Sequence, residues 1–383
     1  MSYALATLWF DRQRYLPGVL AVAFSALLIA LQFGLLLGLF SVTSIPIDRS
    51  NADVWVGGAK VLSVDVGGKA ISESRYAARV AGQEGVTRTE PYIQAYRSWE
   101  KPGGGSDLCI IIGSRLTDDA MGAVDVLTPE LREKLQEADT VVVDEAELER
   151  LDIPEAKQML AEGETVTAKI TGRSVTVVGL VKGMKSIAGP YIFCSITTAR
   201  RLLQMNEDQT VYVLARCDSP QTAQRVAKQL KEEYSDDMSA FTASEFSLRS
   251  RMHWLTKTGA GIALGYAAFL GLLVGAVVTS QTLYAATMAS MREYAILLAL
   301  GIPRWRVAWT IVTQAFWIGI LGVCMAIPAV FGLAELAKYV GVTPHLPPEL
   351  LGSASAITLI MAIGAGIFAM RSVRQIEPVN LLR

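Results

Sequence analysis

Histidine is scarce: the chain has two, His253 and His345, in 383 residues. That supplies no His-Glu-x-x-His zinc site and little basis for a Ser-His-Asp triad, which argues against metalloprotease and serine-hydrolase chemistry. Cysteine is scarce too, with Cys109, Cys194, Cys217 and Cys324 and no C-x-x-C spacing. One disulfide among the first three stays open, and three buried free thiols are the simpler expectation. No stretch matches G-x-x-x-x-G-K-S/T; "VGGKAIS", around Gly67 to Lys69, lacks the hydroxyl residue and follows no apolar strand. The expectation is a chain that is not an enzyme, with no catalytic, cofactor-binding or metal-binding residue and no nucleotide of its own.

Charge is the third shortage, at 19% of residues against 51% hydrophobic, fewer charges than a soluble domain carries. Segments 15–47, 258–291, 307–334 and 350–370 contain no Asp, Glu, Lys or Arg. About 20 apolar residues at 1.5 Å each span a bilayer core of roughly 30 Å, so each segment is long enough to cross. The first exceeds a secretory signal core of roughly 7 to 15 residues, and "IPIDRS" after it offers no small-residue cleavage site, which points to a retained anchor.

Lys and Arg in the short segments orient the chain. Arg12, Arg14, Arg292, Arg304, Arg306, Arg371, Arg374 and Arg383 gather on one side, against Lys338 alone in the loop between the third and fourth spans. The basic side is cytoplasmic, which predicts a multi-pass protein of the plasma (inner) membrane with both termini inside. The stretch between the first two spans then lies outside; its 31 acidic and 26 basic residues give no reason to expect a nucleic-acid partner.

The expected organisation is a cytoplasmic interfacial helix (1–14), a turn at Pro17 and Gly18, and transmembrane helix 1 (15–47). An extracytoplasmic domain (48–243) and a stalk (244–257) follow, then transmembrane helix 2 (258–285), a cytoplasmic helix and turn (286–304) and transmembrane helix 3 (305–334). An outer loop (335–349), transmembrane helix 4 (350–370) and a cytoplasmic tail (371–383) complete it. The outer domain alternates strand-like and helix-like stretches and reads as mixed α/β. Two subdomains are expected in it, 50–115 with 188–243 and an insert at 116–187. The stalk and helix 2 read together as one rigid rod. The fold class is thus membrane α-helical, with four transmembrane helices and a large extracytoplasmic mixed α/β domain of two subdomains between helices 1 and 2.

The acidic run "VVDEAELERLD" (142–152) fits a solvated helix better than a carboxylate pair or calcium site. The spans hold no ionisable residue near their middle, where ion-coupled transporters keep one. Gln32, Gln281 and Gln314 read as interhelical hydrogen-bond partners or interface residues. Gly34 with Gly38, Gly261 with Gly265 and Gly271 with Gly275 have the spacing of close helix or dimer packing, and Pro328 is a candidate kink in helix 3.

"MREYAILLALGIPRWRV" (291–307) breaks the apolar sequence with a short charged helix that Gly301 caps and Pro303 stops. This stretch, the closing "RQIEPVNLLR" with Pro378, Leu382 and Arg383, and the order of segments resemble the MacB/FtsX type of ABC transporter permease. The resemblance implies that the short helix is a coupling helix seated on a separate ABC ATPase subunit, through Arg292, Glu293, Ala299, Leu300, Gly301 and Arg304. ATP and Mg belong to that partner, because only about 14 residues precede the first span, as in DevC-like and lipoprotein-releasing members. It further implies a homodimer, mechanotransmission to the outer domain for export or extraction, and an adaptor protein docked there. The alternative is an FtsX-like regulator that passes ATPase state to a cell-wall hydrolase; a membrane-anchored outer enzyme ranks third.

Overall fold

The computed structural model describes residues 10, 12–66, 68–339 and 346–373. Most of the expected interfacial helix, Gly67, His345, Arg374 and the closing Pro378, Leu382 and Arg383 lie outside these. The chain forms two compact units, Phe40–Thr258 and the combination of Met1–Leu39 with Gly259–Arg383.

In the first unit a 3-10 turn (Val42–Ser44) and α2 (Ile45–Asp48) lead to β1 (Val54–Gly58), β2 (Ile71–Ser72), α3 (Glu73–Ala81), β3 (Val86–Glu100) and β4 (Ser106–Ser114). Next come α4 (Pro129–Lys134), β5 (Thr140–Asp144), α5 (Ala156–Ala161), β6 (Val166–Ile170), β7 (Arg173–Val181) and β8 (Tyr191–Ser195). The unit closes with α6 (Ile196–Leu203), β9 (Gln209–Thr210), β10 (Tyr212–Cys217), α7 (Pro220–Glu233), β11 (Met238–Thr242) and α8 (Ala243–Lys257). Hydroxyl N-caps at Ser72, Thr128, Ser195, Ser219 and Thr242 start α3, α4, α6, α7 and α8, each giving a first-turn N–H an acceptor it would otherwise lack.

One sheet runs β11-β1-β10-β3-β4-β8-β5-β7-β6, and β6 pairs back to β3 through Trp99↔Ile170. The fifteen-residue β3 joins two parts: Val86–Tyr92 pairs with β10, and Ile93–Glu100 pairs with β4. From β3 onward the six strands close into a ring. The strands of the expected 116–187 insert therefore share a barrel with β4 and β8, from the stretches expected to form the other subdomain. Registers between residues far apart in sequence set this closure, and local periodicity does not carry them.

The open part of the sheet is covered on both faces, which is why β1 and most of β10 are buried without polar alternation. Val54, Val56, Val213 and Ala215 pack with Tyr76, Val80, Val226 and Leu230 of α3 and α7. Their neighbours Trp55 and Tyr212 turn the other way and meet Phe246 of α8, each with ring centroids 5.7 Å from it, and Tyr92 packs edge-on to Trp55 at 4.9 Å. The acidic run departs from expectation: Glu145–Glu147 is one 3-10 turn, and Asp144 and Glu147 are buried. Asp144 accepts from the backbone N–H groups of Ala146 and Met184 at 2.8 and 2.6 Å, so it braces a loop. Cys109, Cys194 and Cys217 are all free thiols.

The second unit holds α1 (Arg12–Ser41), α9 (Gly259–Ala289), α10 (Met291–Ala299), α11 (Arg304–Tyr339) and α12 (Pro348–Val373). Four of these, all but α10, are long and apolar enough to cross a bilayer. Their exposed apolar side chains lie around much of the helix circumference, a surface that suits lipid rather than water. The turn expected at Pro17 and Gly18 does not form; both lie inside α1. Gly18 instead faces Leu283 and Ile318, and packing in the bundle outweighs the one hydrogen bond Pro17 withholds. Pro328 likewise sits inside α11 without ending it.

The expected single rod is also interrupted. α8 stops at Thr258, whose backbone is extended (φ −102°, ψ 146°), and a new helix starts at Gly259. Thr258 Oγ1 donates to Trp254 O at 2.6 Å, satisfying a terminal carbonyl of α8, and the glycines that follow are poor helix formers.

Candidate functional site

α10 is short because its ends are specified locally. Gly301 has φ +84°, its N–H donates to Leu298 O at 3.1 Å, and Ile302 N–H donates to Leu297 O at 3.1 Å. These two bonds make a Schellman stop, closed by the packing of Ile302 and Leu297 in one cluster. Pro303 then prevents continuation, and α11 begins at Arg304.

One face of α10 is anchored. Tyr294 is buried with Val307 and Ile311 of α11, and its hydroxyl donates to Gln314 Oε1 at 2.9 Å. Ser290, at the start of α10, lies 3.1 Å from the Tyr15 hydroxyl of α1. The opposite face is open: Arg292, Glu293, Ile296, Ala299 and Leu300 are exposed, Leu300 at 74%, as are Gly301 and Arg304 of the turn. All six residues proposed from sequence for the coupling contact are thus exposed. Glu293 already has a partner within the chain, since Arg14 Nη1 lies 2.7 Å from its Oε1. Sequence reasoning did not pair Arg14 with Glu293, nor Tyr294 with Gln314; in each case long separation hides the contact, though a tyrosine on the apolar face was a local hint.

The four glycines proposed for packing separate into two kinds. A Cβ on Gly271 would sit 1.9 Å from Gln32 Oε1, and one on Gly275 would sit 3.2 Å from Ser25 Cβ. Ser25 Oγ lies 3.1 Å from Gly275 O and 3.0 Å from Thr279 Oγ1, so α1 and α9 approach at backbone distance. Gly261 is buried, while Gly265 has nothing within 4 Å of its would-be Cβ. Gln281 is exposed.

In the outer unit a cleft of about 740 Å³ lies between α3 and α6. Most of its charges are held in pairs: Arg200 with Glu73, Arg201 with Asp139, and Asp208 caps α3 through Ser72 and the Ser74 N–H, while Glu207 also lines the cleft. Among the described residues no group of three or more His, Cys, Asp or Glu could hold a metal ion.

Two family models match the chain. That of the MacB-like periplasmic core domain matches residues 19–233, more than half of the chain, and that of the FtsX-like permease C-terminal region matches residues 265–378. Among solved structures, the periplasmic region of MacB from Actinobacillus actinomycetemcomitans matches at 12% identity and TM-score 0.35. That match covers 56% of this chain and 97% of that one. The extracellular domain of YknZ, a noncanonic ABC-type transporter from Gram-positive bacteria, matches at 10% identity and TM-score 0.34, covering 50% and 100%. No curated protein matches. With four bilayer-length helices, a large α/β unit between the first and second, and both family models in chain order, the chain belongs to the MacB/FtsX-type ABC transporter permeases.

Proposed function

We propose that this chain is the membrane subunit of a transporter driven by a separate ABC ATPase, and that α10 is where the ATPase pushes. The observation that carries this is the two-sidedness of α10. Its inner face is pinned to α11 through Tyr294 and Gln314, and its outer face offers Arg292, Ile296, Ala299 and Leu300. A short helix stopped at both ends and tied to a span passes on a displacement applied to its exposed face. ATP and Mg²⁺ bind the partner, and this chain's part is mechanical, moving the outer domain to export or extract a substrate already outside the bilayer. A second copy completes the transporter along the apolar surface of α9, where Ile262, Tyr266, Phe269 and Leu273 are exposed, and an adaptor docks on the outer domain.

Co-expression with the candidate ATPase tests this. The intact chain is expected to retain the ATPase through purification, and Leu300→Asp to lose it while the outer-domain tryptophan emission stays unchanged. Equal retention by both chains would remove α10 from the contact.

A further inference from the structure

We propose that the first two turns of α11 form a docking surface for anionic, phosphate-bearing lipid headgroups, with Arg304 and Arg306 meeting the phosphates and Trp305 and Trp309 seated at the interface. This rests on the inner-leaflet placement adopted above.

Trp305 and Trp309 are 64% and 65% exposed, one turn apart on a helix. At 3.6 residues per turn they lie about 170° from the stripe of Val307, Ile311, Gln314 and Ile318 that α11 buries. Farther along α11 the same outward direction continues for two more turns, to the exposed Phe316, before Val323 turns it into the bundle against Ala26. A surface for a cytosolic protein would not run without a polar break from the helix start to Phe316, three turns into a span, whereas a lipid-facing stripe does. Indoles at the end of such a stripe sit at headgroup level.

The charge around the indoles is of one sign. Arg304 and Arg306 are exposed, neither has a carboxylate partner among the described residues, and the first turn of α11 contains no acid. Arg306 holds its guanidinium 5.4 Å from the Trp305 ring centroid, which keeps the cation beside the indole and free to reach a phosphate. The acid nearest in sequence, Glu293, is taken by Arg14. Two unpaired guanidiniums flanking an interfacial indole pair complement an anionic leaflet and give a neutral headgroup nothing extra. Arg304 is thereby assigned to the bilayer, and the ATPase keeps the face of α10.

Tryptophan quenching in reconstituted vesicles tests the proposal with the full chain. The signal of the pair is the difference between the parent and the Trp305→Phe/Trp309→Phe variant, each in vesicles containing brominated phosphatidylglycerol or brominated phosphatidylcholine. Expected is quenching by the phosphatidylglycerol at about fivefold lower mole fraction. The preference disappears in Arg304→Gln/Arg306→Gln and persists in Arg304→Lys/Arg306→Lys, with thermal unfolding of each variant confirming a folded chain. Equal quenching by both lipids, or a preference that survives the glutamine variant, overturns the site. Quenching by neither lipid does so as well, since the indoles then lie against protein. Loss of ATPase retention with the lipid preference intact counts against the proposed function alone.

Discussion

Gly301 and Asp65 show how single residues set limits on this protein. At φ +84° Gly301 occupies the left-handed region, where a side chain costs roughly 1–2 kcal/mol. Gly301→Val is expected to fray the last turn of α10 and lower ATPase turnover in the co-purified complex, while Gly332→Val in α11, with nothing within 4 Å of its would-be Cβ, leaves turnover near the parent value. Asp65 sits in the loop after β1, 2.6 Å from Gln94 Nε2. Burial raises its carboxyl to about 7, against the opposing pull of Trp254 and Gln94. Because the folded-state value exceeds the unfolded one, the stabilisation is complete below the unfolded value and is lost as pH rises through about 7. Outer-domain melting, followed by tryptophan emission, is expected to drop by a few degrees between pH 5.5 and pH 8, and Asp65→Asn to flatten that dependence. Gly301 was readable from its neighbours, an apolar turn before it and a proline after. Asp65 was not, because its hydrogen-bond partner Gln94 lies 29 positions away on β3.

At the level of elements, helix approach in the membrane unit depends on where small residues meet backbone. A Cβ on Gly322 would lie 2.6 Å from Val22 Cγ1 and 3.0 Å from the Ala23 backbone nitrogen, whereas one on Gly265 meets nothing within 4 Å. Gly322→Leu is expected to cost about 1–3 kcal/mol by overpacking, read as a lower melting temperature in detergent, and Gly265→Leu to leave it unchanged. The GxxxG spacing marked Gly261, Gly265, Gly271 and Gly275 and passed over Gly322, because spacing describes one helix and the approach needs two. Caps behave oppositely, being wholly local. Thr242 accepts from the Glu245 N–H while the Glu245 carboxylate accepts from the Thr242 N–H, at 3.3 and 3.1 Å. Thr242→Ala should destabilise the start of α8 by about 1 kcal/mol, measurable as a shift in denaturation of the outer unit.

On the scale of the whole molecule, the outer unit receives the chain at its 3-10 turn and α2 and releases it through α8, and these are clasped together. Arg251 donates to Asp48 Oδ2 at 2.6 Å and to Ser44 Oγ at 2.7 Å. So exposed a pair contributes little stability, about 0–1 kcal/mol, but a displacement reaching α8 would be shared with α2 through it. Asp48→Arg and Arg251→Asp are each expected to lower ATP-dependent activity of the complex, with partial recovery in the double exchange. For topology, a cysteine at Leu300, in a background lacking Cys324, should react with an impermeant maleimide only after the membrane is opened. The residue pattern alone was enough for the four spans, the α/β character of the outer unit and the stop at Gly301 and Pro303, since each depends on composition or spacing within one or two turns. The closing of β6 onto β3, the sharing of one barrel by two expected subdomains, the break at Thr258, the partner of Glu293 and the burial of Asp144 came only with the folded chain. Apart from the break at Thr258, these are contacts between residues tens to hundreds of positions apart, whose free energy depends on geometry that no local window contains.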